Sequence, residues 1–175
     1  DEFRPNTTGA VSIFGGDGDD AVIYAQTEGG AGHSIDGGDG IDVIAMISNN
    51  VDQLDLTQFD SVTNFEALQF NGFVDSKFLL NETHLTGLQV VRSATNVVSE
   101  FVVNMENGGT IDLSGITFAA WTSGTDTINL NGTTAVDVIT GSDQKDTING
   151  KGGADTLNGD AGDDVILGGG GGDTM

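Results

Sequence analysis

The sequence predicts an all-β chain, folded as a right-handed parallel β-roll or β-solenoid. Three observations predict it. Aspartate recurs every nine residues in glycine-rich stretches, an apolar residue stands two places after each aspartate, and the middle of the chain carries no long 3.6-residue apolar period. A run such as "GKGGADTLNGDAGDDVIL" has too few large side chains for an ordinary core and too many carboxylates to sit together unaided.

Counting back from the C-terminus, the chain divides into nonapeptides without gaps. They read GTTAVDVIT from Gly132, GSDQKDTIN from Gly141, GKGGADTLN from Gly150 and GDAGDDVIL from Gly159, then GGGGGDTM from Gly168, one residue short. The sixth residue is Asp137, Asp146, Asp155, Asp164 and Asp173, and the eighth is Ile139, Ile148, Leu157, Ile166 and Met175. Asp126 with Ile128 is a looser echo upstream. Near the N-terminus the unit returns as GGDGDDAVI from Gly15 and GGDGIDVIA from Gly37, with a degraded copy, GGAGHSID, between them.

The unit explains its own residues. Glycine accepts positive φ and close backbone approach, so the first six residues can form a tight turn with its carbonyls aimed inward. The last three form a short strand in which only the eighth residue faces the interior. Two units make one turn of about 18 residues, and turns stack at roughly 4.8 Å. Asp146 then lies beside Asp164, Asp137 beside Asp155, Asp155 beside Asp173, and Asp20 beside Asp42. Two carboxylates about 4 Å apart repel by roughly 1 kcal/mol in water and several-fold more when partly desolvated. One small apolar residue per half-turn does not easily offset a column of such pairs. A calcium ion between them, held by carboxylates and backbone carbonyls, reverses the sign.

Composition agrees. With 27 Asp plus Glu against 5 Lys plus Arg, the formal net charge is -22, which argues against nucleic acid and against anionic membranes. The 37% hydrophobic content and single proline argue against disorder. Without cysteine there are no disulfides, no thiolate metal sites and no cysteine nucleophile, so metal is the obvious substitute for cross-links. At 175 residues the chain is the size of one domain or of a piece of a longer protein. It starts at Asp1 and stops inside a repeat, which favours a piece. No leader precedes the first loop, and apolar runs are too short for a transmembrane helix.

The residues GGDGDDAVI, GGDGIDVIA, GKGGADTLN and GDAGDDVIL resemble the RTX (repeats-in-toxin, hemolysin-type) nonapeptide, GGxGxDxUx with U a large apolar residue. The resemblance implies a parallel β-roll with several calcium ions between successive turns. It also implies a bacterial protein exported by type I secretion that folds on meeting calcium outside the cell. Carried over by position, the metal ligands are Asp20, Asp42, Asp155, Asp164 and Asp173, with carbonyls of Gly16, Gly18, Gly38, Gly40, Gly153, Gly162, Gly169 and Gly171. Asp146 and Asp137 join the set, although Gln144 replaces a loop glycine and GTTAVD has lost two of three.

The expected organisation is an N-terminal strand or linker over 1–14, N-terminal repeats over 15–45, a calcium-poor segment over 46–131 and a C-terminal roll over 132–175, truncated in its last repeat. The middle segment carries strand-like pieces, "LDLTQF", "FEALQF", "LQVV", "EFVVNM" and "TIDLSGITF". It reads as a wider, degenerate continuation of the solenoid, the alternative being an inserted β-sandwich.

Other chemistry finds little support. His33 and His84 are far apart and neither sits in HExxH, so no zinc protease site is expected. The adjacent pairs Asp19–Asp20 and Asp163–Asp164 are explained by the repeat rather than by glycosidase chemistry, position five facing solvent. The aromatic residues read as core. Acceptor patterns for glycosylation occur at Asn6, Asn81 and Asn131 and carry little weight in a bacterial setting. The expectation is a non-enzymatic, calcium-binding structural module, secreted or at the cell surface. The alternatives are a subunit of a surface layer, filament or adhesin that assembles head to tail with calcium, and an accessory secretion or folding domain of a toxin or exoenzyme.

Overall fold

The computed structural model describes residues 1–4, 9–24, 32–46, 53–70 and 75–175. The glycosylation pattern at Asn6 and the first part of the degraded copy GGAGHSID lie outside these residues. Every strand pair among the described residues is parallel. The described residues therefore form a solenoid, and the middle continues it rather than inserting a sandwich.

Two long faces and two short ones build the coil. The first long face stacks β1 (Glu2–Phe3), β3 (Ala21–Tyr24), β5 (Val43–Met46), β8 (Ala67–Phe70), β10 (Val90–Arg92) and β13 (Thr117–Ala119). The second stacks β6 (Gln53–Asp55), β9 (Ser76–Leu80), β11 (Ser99–Asn104), β14 (Thr127–Asn131), β16 (Asp146–Asn149) and β18 (Val165–Leu167). The short faces are β2 (Ser12–Asp17), β4 (Ser34–Asp39) and β7 (Ser61–Thr63), then β12 (Thr110–Asp112), β15 (Val138–Thr140) and β17 (Thr156–Asn158). The N-terminal roll alternates one short face with the first long face. The C-terminal roll alternates the other short face with the second long face. Between β6 and β13 both long faces are present, and the coil widens to three sides.

Width follows from side-chain size. In the C-terminal roll the interior receives one aliphatic residue per half-turn, Ile139, Ile148 and Leu157, all buried. In the middle it receives Phe70, Phe78, Phe101 and Phe118, with Trp121 packed against them. Phe70 meets Phe78 edge to face at 4.7 Å, and Phe101 meets Phe118 at 5.5 Å. Rings of that size need the third wall.

The corners differ too. Rolls turn on glycine; the middle turns on a short polar side chain that accepts from the residue two places on. Asp55 Oδ1 accepts from the backbone N–H and hydroxyl of Thr57, Asn81 Oδ1 from those of Thr83, and Asp112 Oδ1 from those of Ser114. The first corner ends the strand-like "LDLTQF" at Asp55 and starts a 3-10 turn over Leu56–Gln58, contrary to a reading of that piece as one strand. The third splits "TIDLSGITF" into β12 and β13. Asn81 starts the 3-10 turn Glu82–Leu85, and its Nδ2 donates to Glu106 at 2.9 Å. These bonds hold its side-chain amide at the corner.

Candidate metal sites in the glycine loops

The loops stack as the nine-residue period requires. In each predicted pair the earlier aspartate donates its backbone N–H to the later one's Oδ1: Asp20 to Asp42 at 2.7 Å, Asp137 to Asp155 at 2.9 Å, Asp146 to Asp164 at 2.9 Å and Asp155 to Asp173 at 3.1 Å. The acids thus form ladders along the edges of the rolls. Asp20, Asp42, Asp137, Asp146 and Asp155 are buried, Asp164 and Asp173 half-buried. Asp19 and Asp163, in position five, are exposed.

All eight loop glycines selected from the sequence have positive φ, from 94° at Gly169 to 150° at Gly40. A second constraint acts on most of them. A Cβ on Gly38, Gly40, Gly153, Gly162, Gly169 or Gly171 would strike the carbonyl oxygen of the equivalent residue one turn earlier, namely Gly16, Gly18, Ala135, Gln144, Lys151 and Gly153. Gly16 and Gly18, in the first loop of their column, would meet nothing within 4 Å.

The departures at GTTAVD and GSDQKD stand in the first nonapeptide of the two C-terminal columns. Thr133, Ala135, Ser142 and Gln144 hold positions two and four without positive φ, and the Ala135 and Gln144 carbonyls still face the next loop; the Gly108–Gly109 turn stacks before the first of them, its Gly109 N–H donating to Asp137 Oδ1 at 3.3 Å. Each of the two nonapeptides closes its turn with a hydroxyl residue instead. The Thr133 backbone N–H donates to Asp137 Oδ2 at 2.6 Å, and that of Ser142 to Asp146 Oδ2 at 2.7 Å, with both hydroxyls also in reach.

In three other loops nothing plays that part. Asp20 Oδ2, Asp42 Oδ2 and Asp155 Oδ2 are buried without a hydrogen-bond partner. Each points back at the first glycine of its own unit, where a Cβ on Gly15, Gly37 or Gly150 would lie 2.5–2.6 Å from it. Position-one glycines were not among the candidate residues, yet their missing side chain forms the cradle for the acid. An orphaned buried carboxylate oxygen beside inward carbonyls fits a hard cation. Among the described residues no three acidic or histidine side chains converge, so any such site takes two carboxylates at most and completes its shell from carbonyls.

Electrostatics point the same way. Burial raises the pKa of Asp42, and the charges of Glu66, Asp20 and Asp19 raise it further, against the Asp20 N–H that lowers it. Burial pushes Asp146 up to about 6, with Asp164 and Asp143 adding to the rise, despite hydrogen bonds from Ser142.

Two residues stand differently from the sequence reading. Ile128, not Asp126, lies opposite Asp146, so Asp126 is out of register with the acid ladder. Its carboxylate is satisfied by the Ser99 and Thr122 N–H groups and the Ser93 hydroxyl. Glu66 was missed. The loop over it is three residues shorter than Gly37–Asp42, and its longer side chain reaches back so that Oε2 accepts from the Asp42 N–H at 2.8 Å. It ends the N-terminal ladder. Its position one turn past Asp42 was the available signal, hidden by the lost loop. Both histidines have structural places: His33 packs against Tyr24 and Phe59, and His84 Nδ1 accepts from the Asn81 N–H.

Against known proteins, the family model of the RTX calcium-binding nonapeptide repeat (four copies) matches residues 7–25, 122–157 and 140–175, somewhat less than half of the chain. The unit at Gly37–Ala45 lies outside the match but repeats the geometry of Gly15–Ile23 residue for residue. No curated protein and no solved structure matches. Stacked loops, orphaned carboxylate oxygens and the family match converge: the chain is a parallel β-solenoid with segments at both ends that match the RTX calcium-binding nonapeptide repeat.

Proposed function

We propose that calcium is the structural element of the two rolls, in a non-enzymatic module that is secreted and completes its fold outside the cell. The observation that carries this reading is the unpartnered, buried Oδ2 of Asp20, Asp42 and Asp155. A buried carboxylate oxygen without a donor is costly, and several carboxylates along one edge add mutual repulsion. Ions between turns would use Asp20 and Asp42 at the N-terminal edge, Asp137, Asp155 and Asp173 at one C-terminal edge, and Asp146 and Asp164 at the other. Carbonyls of Gly16, Gly18, Gly38, Gly40, Gly153, Gly162, Gly169 and Gly171 would complete the shells. Asp137 and Asp146, already held by Thr133 and Ser142, would hold the weakest ions. Affinities of about 10⁻⁴–10⁻³ M suit an extracellular module, in which the chain stays extended until exported.

Calcium titration of chelator-treated protein, followed by far-ultraviolet circular dichroism and light scattering together, tests this. A gain of β signal at constant mass is expected. The same gain with rising mass would favour the surface-layer or filament reading, in which subunits add head to tail. An unchanged spectrum from chelator to 10 mM calcium would remove calcium as a folding element. Hydrolytic activity of the chain would overturn the non-enzymatic reading.

A further inference from the structure

Each orphaned carboxylate oxygen faces a particular neighbouring turn. In a stacked pair of loops, the first carbonyl of the later loop points at the first glycine of the earlier one, and so does the earlier loop's aspartate Oδ2. A Cβ on Gly15 would lie 2.0 Å from the Gly37 carbonyl oxygen and 2.5 Å from Asp20 Oδ2. One on Gly150 would lie 2.6 Å from both the Gly168 carbonyl oxygen and Asp155 Oδ2. Oδ2 therefore sits on the side of the turn that follows. Oδ1 serves the turn before: that of Asp42 accepts from the Asp20 N–H, and that of Asp155 from the Asp137 N–H. Asp20 is matched in this way with the loop at Gly37, and Asp155 with the loop at Gly168. Asp42, fully buried and with its own unpartnered Oδ2, faces a turn that holds no nonapeptide.

That turn is the short corner Asn64-Phe65-Glu66. Strand register sets Asp36 opposite Thr63 and Val43 opposite Ala67, so Asn64 stands over Gly37 and Glu66 over Asp42. Phe65 alone covers the span of Gly38 to Ile41, and its ring is buried in the core. The short corner nevertheless reproduces both contacts of a full pair. A Cβ on Gly37 would lie 2.0 Å from the Asn64 carbonyl oxygen and 2.6 Å from Asp42 Oδ2, so the two oxygens converge there. Asn64 reaches this place at φ 56°, its side-chain amide donating to Asp36 Oδ1 at 2.7 Å. Glu66 Oε2 accepts from the Asp42 N–H, the rung that an aspartate makes elsewhere. Among the described residues neither Asp42 nor Glu66 pairs with a lysine or arginine.

We propose that Asp42, Glu66 and the Asn64 carbonyl hold a further calcium ion, at a site closed by a glutamate instead of by a repeat loop. The site rests on calcium being the structural ion of the rolls, and adds one ion where the N-terminal roll meets the aromatic middle. Two carboxylates and a carbonyl are hard oxygen donors suited to calcium. Three loop residues fewer leave fewer carbonyls, so water supplies the remaining ligands. It has access, because Asn64 and Glu66 help to line a cleft of about 670 Å³. The ion is held more weakly than one between two full loops, and through Phe65 it ties the last repeat turn to the core.

The experiment counts calcium bound to the full chain by equilibrium dialysis with metal analysis, in wild type, Glu66→Gln and Glu66→Asp. Glutamine keeps an acceptor for the Asp42 N–H without the charge; aspartate keeps the charge without the reach. Each variant should hold one ion fewer at calcium levels that fill the other sites, its affinity there falling about tenfold or more. In chelator, hydrogen-exchange protection of Val43–Met46 should be the same in Glu66→Gln as in wild type. A full wild-type count in either variant overturns this site and leaves the calcium-bound rolls standing. A wild-type chain that binds no calcium overturns both. Protection lost in chelator together with the ion also overturns the site, since a broken corner would then account for the loss.

Discussion

The middle of the coil and its C-terminal roll are parallel stacks with the same strand spacing, yet they are held by different physics. Between β9 and β13 the interior receives Phe78, Phe101 and Phe118, each fully or almost fully buried. Burying a side chain of that size contributes about 1.5–3 kcal/mol. The corners there are closed by Asp55, Asn81 and Asp112 through hydrogen bonds within the chain. In the C-terminal roll Ile139, Ile148 and Leu157 are the fully buried apolar residues of the repeats, and the corners bring carboxylates together. One region is stabilised by its side chains; on the reading proposed above, the other depends on ions held between its stacked loops. A solenoid couples such regions through nearest-neighbour stacking, so the stable middle gives both rolls a surface on which to add turns.

The sharpest way to break this contrast is to remove calcium and follow backbone amides by hydrogen exchange. With chelator, protection over 141–175 should fall by orders of magnitude, while β9 to β13 keeps most of its own. Phe101→Ala is the complementary perturbation. It should cost about 3–5 kcal/mol with or without calcium, because it opens a cavity in the core rather than an ion site. Simultaneous loss of protection in both regions on chelation would show that the middle has no independent stability, and the contrast would be wrong.

A finer contrast lies within one ladder. Asp155 has an unpartnered Oδ2 between two stacked loops, whereas the Oδ2 of Asp137 already accepts from Thr133. Asp155→Asn should weaken calcium binding measured by calorimetry about tenfold or more, since it removes a charged ligand from the centre of the column. Asp137→Asn should weaken it only a few-fold. Equal effects would mean that the hydrogen bonds of the first loop open whenever an ion binds.

The ladders were legible because a nine-residue period fixes register without reference to anything else. Asp146 has to meet Asp164 once two units make a turn, and the eight chosen glycines are where backbone carbonyls crowd. What the period could not convey is where each column starts. Losing glycine at Ala135 and Gln144 resembles decay, but neither residue has positive φ and the carbonyl of each still faces the glycine of the next loop. Glu66 and the three-sided middle were hidden for a related reason. There the spacing is set by how far a phenylalanine or a glutamate reaches, and corners such as Asp55 and Asp112 look like interior polar positions of a strand.

The smallest effect concerns protons, and its sign separates the apo roll from the ion-bound one. Asp146 has its pKa raised from 3.8 to about 6 in the fold, first by burial and then by Asp164 and Asp143. A raised acid favours the fold when protonated. Its contribution is complete below its unfolded pKa near 4 and is lost as pH rises through about 6. Without calcium, acidification from pH 7 to pH 5 should therefore stabilise the C-terminal roll, seen as a higher melting temperature, and Asp146→Asn should flatten that dependence. With calcium the sign inverts, because the proton and the ion compete for the same carboxylates. Acidification over the same interval should then lower the melting temperature and release the ion. A calcium-free roll that lost stability from pH 7 to pH 5 would place the dominant charge interactions outside the ladders.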